Sequence, residues 1–154
     1  MADECLTCAA GEGRIQLSLV PSLVVTDHWR VEQGHPTTVR GWLVVDLRRH
    51  APALHDLTAD EWAELATVLA SVCDAHREVL GAEKEYVMQF AEADGHQHVH
   101  FHVVPRLPEW PPERSGPRVM ESLGAKAEGP LTLEEVGPTL DALRDELARR
   151  LAAG

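Results

Sequence analysis

Residues 96–104 are His96-Gln97-His98-Val99-His100-Phe101-His102-Val103-Val104, a run in which histidines alternate with other residues. Successive side chains of a β-strand point to opposite faces, so a strand that begins at His98 carries three imidazoles on one face. The apolar side chains between them, beginning with Val99, then face a hydrophobic layer. The run therefore predicts a strand from His98 to Val104, ended by Pro105, with His96 on the imidazole face if the strand extends back that far.

Three explanations compete for this histidine face. It could be a solvated strand surface, or it could be a metal cluster, because neutral imidazole is the commonest metal ligand. It could also be a site of nucleophilic catalysis at phosphorus, where an imidazole attacks a phosphoryl group and then yields it to water. Three imidazoles in strict alternation are unusual as filler on a solvated face, which favours the two chemical explanations.

Other apolar patterns predict the rest of a sheet. Residues 15–19 alternate between apolar and polar side chains, which indicates one strand, and residues 23–31 are β-like on both sides of a turn. The continuous apolar run at 42–47 predicts a central strand covered on both faces, after a loop at 33–38. Residues 86–90 predict a further strand.

Two helices are predicted with clear boundaries. Thr58 and Glu61 have the spacing of a capping box, in which a hydroxyl and a carboxylate satisfy free backbone donors. Apolar residues follow at helical spacing from Trp62 to Leu80, and Gly81 is a natural stop. A last helix begins either at a Thr132 cap or at Gly137-Pro138. Its apolar stripe consists of four leucines: Leu140, Leu143, Leu147 and Leu151.

The order of these elements predicts an α+β domain, with a mainly antiparallel sheet and helices on one face. Residues 105–130, which are rich in proline and glycine, are expected to form a surface segment over or beside the site. A length of 154 residues, with 44% hydrophobic and 25% charged residues, predicts a single soluble domain.

Charge and cysteine usage narrow the class of function. A formal net charge of −11 argues against binding to long nucleic acid, which needs a basic surface, but it permits a small phosphate ligand. We find no apolar run long enough for a membrane span and no signal peptide, so we expect a cytoplasmic protein without a membrane partner. In that setting Cys5-Leu-Thr-Cys8 indicates a reduced thiol pair or a metal site.

Together these segments resemble the histidine-triad (HIT) family. Residues 98–104 match the triad pattern, and the Pro105-Arg106 that follows is common in the family. Residues 41–50, followed by 56–61 and a helix, are similar to the stretch before the long helix of these proteins. Cys5-x-x-Cys8 is similar to the bacterial branch that bears zinc. The resemblance covers residues 5–106 of a single domain, 1–154, and leaves 107–154 as an irregular segment and a C-terminal helix.

The resemblance implies a five-stranded antiparallel sheet with two helices, usually paired as a homodimer. It implies a nucleotide hydrolase or nucleotidyl transferase that cleaves at an α-phosphate through a covalent nucleotidyl-histidine. The nucleophile carries over to His100, oriented by a backbone carbonyl, and His102 would contact the phosphate. The expected ligand is a nucleotide or a dinucleoside polyphosphate, with no organic cofactor. The alternative is a nucleotide-binding or sensing module without catalysis.

The zinc-bearing relatives also imply one structural zinc per chain. The ligands that carry over are Cys5, Cys8, His50 and the first triad residue, His98, which also belongs to the catalytic triad. Two thiolates and two imidazoles suit tetrahedral zinc, and a site with four protein ligands is structural.

The sequence departs from the family pattern beside the triad. Many members carry Gly-Gln-Ser or Gly-Gln-Thr there, whereas residues 93–97 contain no serine or threonine. His96 or Gln97 is the candidate replacement donor. Gln89 takes the place of the usual asparagine on the preceding strand, and Glu32 is the candidate for the acidic ribose contact. These losses leave the nucleophile intact and affect the nucleotide preference.

Overall fold

A five-stranded antiparallel sheet organises the computed structural model, which describes residues 5–153. Residues 1–4 and 154 of the predicted domain lie outside the described part. The strands are β1 (Val24–Val25), β2 (Trp29–Gln33), β3 (Leu43–Leu47), β4 (Lys84–Met88) and β5 (His100–Arg106). Their order in the sheet is β1-β2-β3-β5-β4, and every neighbouring pair is antiparallel. The predicted fold class is confirmed, with the apolar run of β3 at the centre.

Within residues 5–153, three α-helices accompany the sheet: α1 (Leu6–Gly11), α2 (Ala59–Leu80) and α3 (Leu133–Ala153). Both halves of the predicted capping box between Thr58 and Glu61 are present at the start of α2. The helix ends where Gly81 adopts a left-handed conformation with φ of 66°, which glycine tolerates at little cost. For α3 the earlier of the two predicted starts is right, because Thr132 and Glu135 cap each other's backbone N–H groups.

The two long helices cover one face of the sheet. The α3 stripe is buried at Leu140, Leu143 and Leu147, and Leu151 is half-buried against the same core. The apolar side chains of the histidine run join this core as predicted, since Val99 and Val103 are fully buried there. Burying a leucine side chain is worth about 1.5–3 kcal/mol, so this layer accounts for much of the stability of the domain.

Several predicted boundaries are wrong. Residues 15–19 form no strand, because side chains take up the polar backbone groups there: the amide oxygen of Gln33 accepts from the Leu19 N–H at 2.9 Å. The strand predicted at 86–90 lies at Lys84–Met88. Trp62 is 43% exposed, because it lies at the edge of the buried helix face that continues through Leu65.

The strand of the histidine run also differs from its prediction. It begins at His100 and continues to Arg106, so Pro105 does not end it. Pro105 is tolerated because β3 pairs with β5 only as far as Val103, which leaves no β3 partner for the missing N–H. His98 precedes the strand and takes a separate direction.

The opposite face of the sheet carries a second, smaller hydrophobic cluster, formed by Val39, Trp42, Val104 and Val119. Val119 comes from the proline-rich segment after β5, which folds into short 3-10 turns between residues 112 and 126. A β-bridge between Leu123 and Thr37 ties this segment to the loop after β2. Across residues 5–153, no helix combines the length and the apolar character that a membrane crossing requires.

Candidate active site and cysteine–histidine cluster

A cavity of about 530 Å³ lies on the sheet face opposite the long helices. Its floor is formed by side chains of β2, β3 and β5 that alternate with the core residues of the same strands. Helix α1 forms one wall, residues 90–93 another, and residues 120–124 of the proline-rich segment a third, as predicted for a segment beside the site. The imidazoles of His96, His100 and His102 all line this cavity.

His100 is oriented by the backbone of its own segment. Its Nδ1 lies 2.7 Å from the carbonyl oxygen of His98, and because a carbonyl only accepts, this nitrogen carries the proton. Nε2 has no hydrogen-bond partner among residues 5–153. Burial lowers the pKa of His100 below its usual value, so the ring is neutral at pH 7. A neutral imidazole with one free nitrogen in a cavity is a competent nucleophile.

His102 is oriented by a residue that sequence reasoning did not assign to the site. The indole N–H of Trp42 donates to Nδ1 of His102 at 3.2 Å. Indole is a donor only, so the proton of the neutral His102 ring sits on Nε2 and is available to a ligand. Burial, assisted by the neighbouring histidines, lowers the pKa of His102 to about 4. The alternation of side chains along a strand could have identified Trp42, because residues two positions apart share a face. Trp42 and Val44 accordingly lie on the same face of the sheet.

His98 leaves the cavity and joins a separate cluster. Its ring Nδ1 lies 3.4 Å from Sγ of Cys5 and 3.5 Å from Sγ of Cys8. Sγ of Cys8 is also 3.5 Å from Nδ1 of His50. The four ligand atoms all lie within 4.8 Å of one another. The structure thus brings together all four residues of the predicted metal site, while the predicted common face of the three triad histidines is wrong for His98.

The donor set of this cluster fits zinc. Bond lengths of about 2.3 Å to sulfur and about 2.05 Å to nitrogen give a tetrahedral sulfur–nitrogen edge of about 3.6 Å, close to the contacts observed. Nε2 of His98 donates to the Leu47 carbonyl at 2.6 Å, which leaves Nδ1 as the ligand atom. Burial, together with Cys5, raises the pKa of the Cys8 thiol to about 11. A cation bound in the cluster would lower this pKa and favour the thiolate.

The other predicted ligand contacts divide into two groups. His96 and Glu32 line the cavity, and the His96 ring centroid is 6.5 Å from that of His100. The Glu32 carboxylate accepts from the Ser22 hydroxyl at 2.5 Å, and burial raises its pKa. Gln89 and Gln97 do not line the cavity, and Gln97 is exposed.

A buried ion pair in the cavity floor was also missed by sequence reasoning. The guanidinium of Arg30 bonds Oδ2 of Asp46 through two nitrogens, with Nε at 2.9 Å. Burial raises the pKa of the Asp46 carboxyl, and the guanidinium opposes that shift. Both residues lie in strands that were predicted from their apolar composition. A charged side chain buried in such a strand needs an oppositely charged partner or a ligand.

The cavity and the cysteine–histidine cluster together define a class of protein. It is an antiparallel α+β domain with an imidazole-lined cavity beside a cluster whose four ligands are typical of a structural metal site. The sequence model of the HIT domain matches residues 32–109, just over half of the chain. The protein therefore belongs to the HIT family. No curated protein sequence matches it significantly.

Solved structures with the same fold come from several organisms. A HIT-like protein from Bartonella henselae, described as involved in cell-cycle regulation, has 16% identity and a TM-score of 0.70, covering 92% of this chain and 95% of that one. A zinc-bound histidine-triad protein from Mycobacterium smegmatis has 21% identity and a TM-score of 0.66, with 100% of both chains covered. A hypothetical histidine-triad nucleotide-binding protein from Sulfolobus tokodaii has 15% identity and a TM-score of 0.69, covering 94% and 93%. At these identities the likeness shows the fold.

Proposed function

We propose that the protein is a nucleotide hydrolase or nucleotidyl transferase that cleaves at an α-phosphate through a covalent intermediate on His100. The observation that carries the proposal is the hydrogen bond from Nδ1 of His100 to the His98 carbonyl, which leaves Nε2 free at the cavity. A cavity of about 530 Å³ is within the range that small-molecule ligands occupy.

The reaction proceeds in two displacements at phosphorus. Nε2 of His100 attacks the α-phosphorus, a P–N bond forms, and the bond to the leaving group breaks with its electron pair on the leaving atom. Water, or the hydroxyl of an acceptor in a transferase, then attacks the same phosphorus. The P–N bond breaks, the ring recovers its neutral form, and the attacking oxygen loses its proton to solvent.

Two neighbouring imidazoles assist these steps. His102 donates from Nε2 to an oxygen of the phosphate, since Trp42 holds its Nδ1 as an acceptor. His96 protonates the leaving group in place of the hydroxyl that residues 93–97 lack, because it is the member of that segment which combines a titratable ring with a place in the cavity lining. Burial lowers the pKa of His96, so its protonated form is the minor one at pH 7 but is a stronger acid when it forms.

We also propose that Cys5, Cys8, His50 and His98 hold one structural zinc per chain, whose role when bound is to fix the N-terminal segment. The ring of His98 belongs to this cluster. The backbone carbonyl of His98 accepts a hydrogen bond from Nδ1 of His100. The same cluster therefore sets the position of the carbonyl that orients the nucleophile.

The proposed assembly is a cytoplasmic homodimer whose ligand is a nucleotide or a dinucleoside polyphosphate. The edge strand β4 supports a dimer, since it exposes unpaired backbone groups and Val87 is 46% exposed. A single domain is supported by the one sheet, which carries the hydrophobic clusters on its two faces.

A nucleotide-binding module without catalysis is the second candidate. It is favoured by the absence of any serine or threonine in residues 93–97, where the family places a hydroxyl. Both candidates require a nucleotide in the same cavity. They differ in whether His100 forms a bond to phosphorus.

Turnover by a His100→Ala variant separates the two. The substrates are a panel of AMP esters, AMP amidates and dinucleoside polyphosphates, and His55→Ala, an exposed histidine outside the cavity, is the matched control. The proposal predicts that wild type and His55→Ala turn over at least one substrate and that His100→Ala loses about 10³-fold or more. AMP binding with no turnover of the panel by wild type would favour the sensing module.

A further inference from the structure

Three residues from neighbouring strands stand side by side on the cavity floor. Arg30 of β2 is in register with Asp46 of β3, and Asp46 is in register with His100 of β5. All three line the cavity. Directly opposed residues of antiparallel strands have Cα atoms about 4.5–5.5 Å apart, so the Asp46 carboxyl lies within the span of one small ligand held at His100.

The Asp46 carboxylate is only half satisfied. Both guanidinium bonds from Arg30 go to Oδ2, and Arg30 itself is held against α1 by a contact with the Thr7 carbonyl at 3.5 Å. The second oxygen, Oδ1, is buried and has no hydrogen-bond partner within the described chain. Asp46 is 2% exposed. A buried charged acceptor without a donor is costly, so a donor that reached Oδ1 from the cavity would stabilise the carboxylate.

The charges around the cavity restrict what that donor can be. Arg30 is the one lysine or arginine in the described lining, and Asp46 already neutralises it. The carboxylates of Glu32 and Glu92 also line the cavity. A second anionic group of a ligand is therefore disfavoured beside Asp46, whereas a neutral hydroxyl or an amine is favoured.

We propose that Oδ1 of Asp46 anchors a hydroxyl or amino group of the nucleotide, which makes Asp46 a specificity-determining residue of the cavity. The inference rests on the proposed function, because it places the anchored group in the molecule whose phosphate meets His100. A nucleotide offers such a donor from two sources, the sugar hydroxyls and an exocyclic amine of the base. In either case the anchored part is uncharged or cationic.

The first measurement uses the unmodified protein. Its dissociation constants are determined by calorimetry at pH 8 for AMP, 2′-deoxy-AMP, 3′-deoxy-AMP and purine riboside 5′-monophosphate, which lacks the exocyclic amine. A hydrogen bond to a charged group corresponds to about tenfold to a hundredfold in affinity. We expect one of the three analogues to bind about tenfold to a hundredfold more weakly than AMP, and the identity of that analogue names the source of the donor.

The second measurement removes the anchor. Asp46→Ala would leave Arg30 buried and unpaired, so the test is the double variant R30M/D46L, which replaces the ion pair by apolar side chains of similar size. The matched control is D74L/R150M, which removes an ion pair between α2 and α3 outside the cavity. We expect R30M/D46L to bind AMP as weakly as the discriminated analogue and to lose the preference, while the control keeps both.

Each contrary result has a distinct meaning. Equal binding of all four nucleotides by wild type would overturn the Asp46 anchor and leave the proposed function standing. Unchanged discrimination by folded R30M/D46L would do the same. Failure of wild type to bind any of the four would overturn the anchor, whereas the proposed function is overturned separately, by the absence of both binding and turnover across the substrate panel.

Discussion

Nδ1 of His100 lies 2.7 Å from the carbonyl oxygen of His98, while the ring of His98 lies between Sγ of Cys5 and Sγ of Cys8. One residue therefore joins the cysteine–histidine cluster through its side chain and orients the neighbouring imidazole through its backbone. The direction of the free nitrogen of His100 depends on where His98 is held.

Removal of the indole N–H from Trp42 should weaken catalysis through His102. W42F keeps a buried aromatic side chain but loses the donor to Nδ1 of His102, so both tautomers of that ring become accessible. One neutral hydrogen bond is worth about 0.5–1.5 kcal/mol, which corresponds to a fall of about twofold to tenfold in kcat. Nitrogen NMR of His102 should show a mixed tautomer population.

Trp110 offers a matched control for this experiment. Its indole nitrogen is buried without a hydrogen-bond partner within residues 5–153, so W110F removes an equivalent N–H that orients no described side chain. An equal loss of kcat in both variants, with His102 still in one tautomer, would show that Trp42 acts through packing alone.

Purified protein should contain about one zinc per chain. C5S/C8S should lose that zinc and about 10 °C or more in Tm, because binding to four ligands stabilises only the folded chain. Cys73→Ser is the control, since Cys73 lies on α2 outside the cluster. If C5S/C8S had the same zinc content and the same Tm as wild type, Cys5 and Cys8 would not hold a structural zinc.

Glu61 should make the domain sensitive to acid. Its ion pair with Arg49 and its place in the capping box hold its pKa at about 2, against an ordinary value of 4.5. A lowered pKa contributes stability that is complete above about pH 4.5 and is lost as the pH falls toward 2. E61Q should therefore be about 1–2 kcal/mol less stable than wild type at pH 7.

The difference between E61Q and wild type should shrink between pH 4.5 and 2 in denaturant unfolding. Glu113→Gln, at an exposed position in the proline-rich segment, serves as the control and should match wild type at each pH. A difference for E61Q that stays constant down to pH 3 would assign its effect to packing instead of charge.

Substitution of two glycines by alanine should have unequal effects. A Cβ on Gly34 would collide with the indole ring of Trp42, so G34A should cost about 1–3 kcal/mol and lower activity by displacing the partner of His102. Gly137 lies in α3 with room for a methyl group, so G137A should be neutral or stabilise by less than about 1 kcal/mol, because the ring of Pro138 crowds a Cβ on the preceding residue. Thermal unfolding measures both, and a stable, fully active G34A would contradict the tight contact.

Sequence reasoning reached the fold class because local patterns dominate there. The alternation in 100–104, the capping box at Thr58 and the leucine stripe of α3 each depend on neighbours in sequence, and each appears in the structure. Residues 15–19 carried the same kind of alternation but form no strand, because Gln33 supplies a hydrogen bond that only the tertiary fold provides.

The candidate site was predictable to a lesser degree. The four cluster residues came from the family resemblance, and the structure brings them together. Trp42 and the pair Arg30–Asp46 were missed, since their contacts join positions that are 60 and 16 residues apart in sequence. The sequence also did not show that His98 points away from the cavity. Side chains alternate between faces only within a strand, and the strand begins at His100.

Trapping the covalent intermediate would show directly whether His100 is the nucleophile. Wild type and His100→Ala are mixed with a substrate found by the turnover panel, quenched in alkali within milliseconds and mapped by mass spectrometry. The account predicts a nucleotidyl group on the peptide that contains His100, located on that ring by fragmentation, and none in the variant. Turnover by wild type with the nucleotidyl group on another residue, or with an unmodified His100 at every quench time, would contradict it.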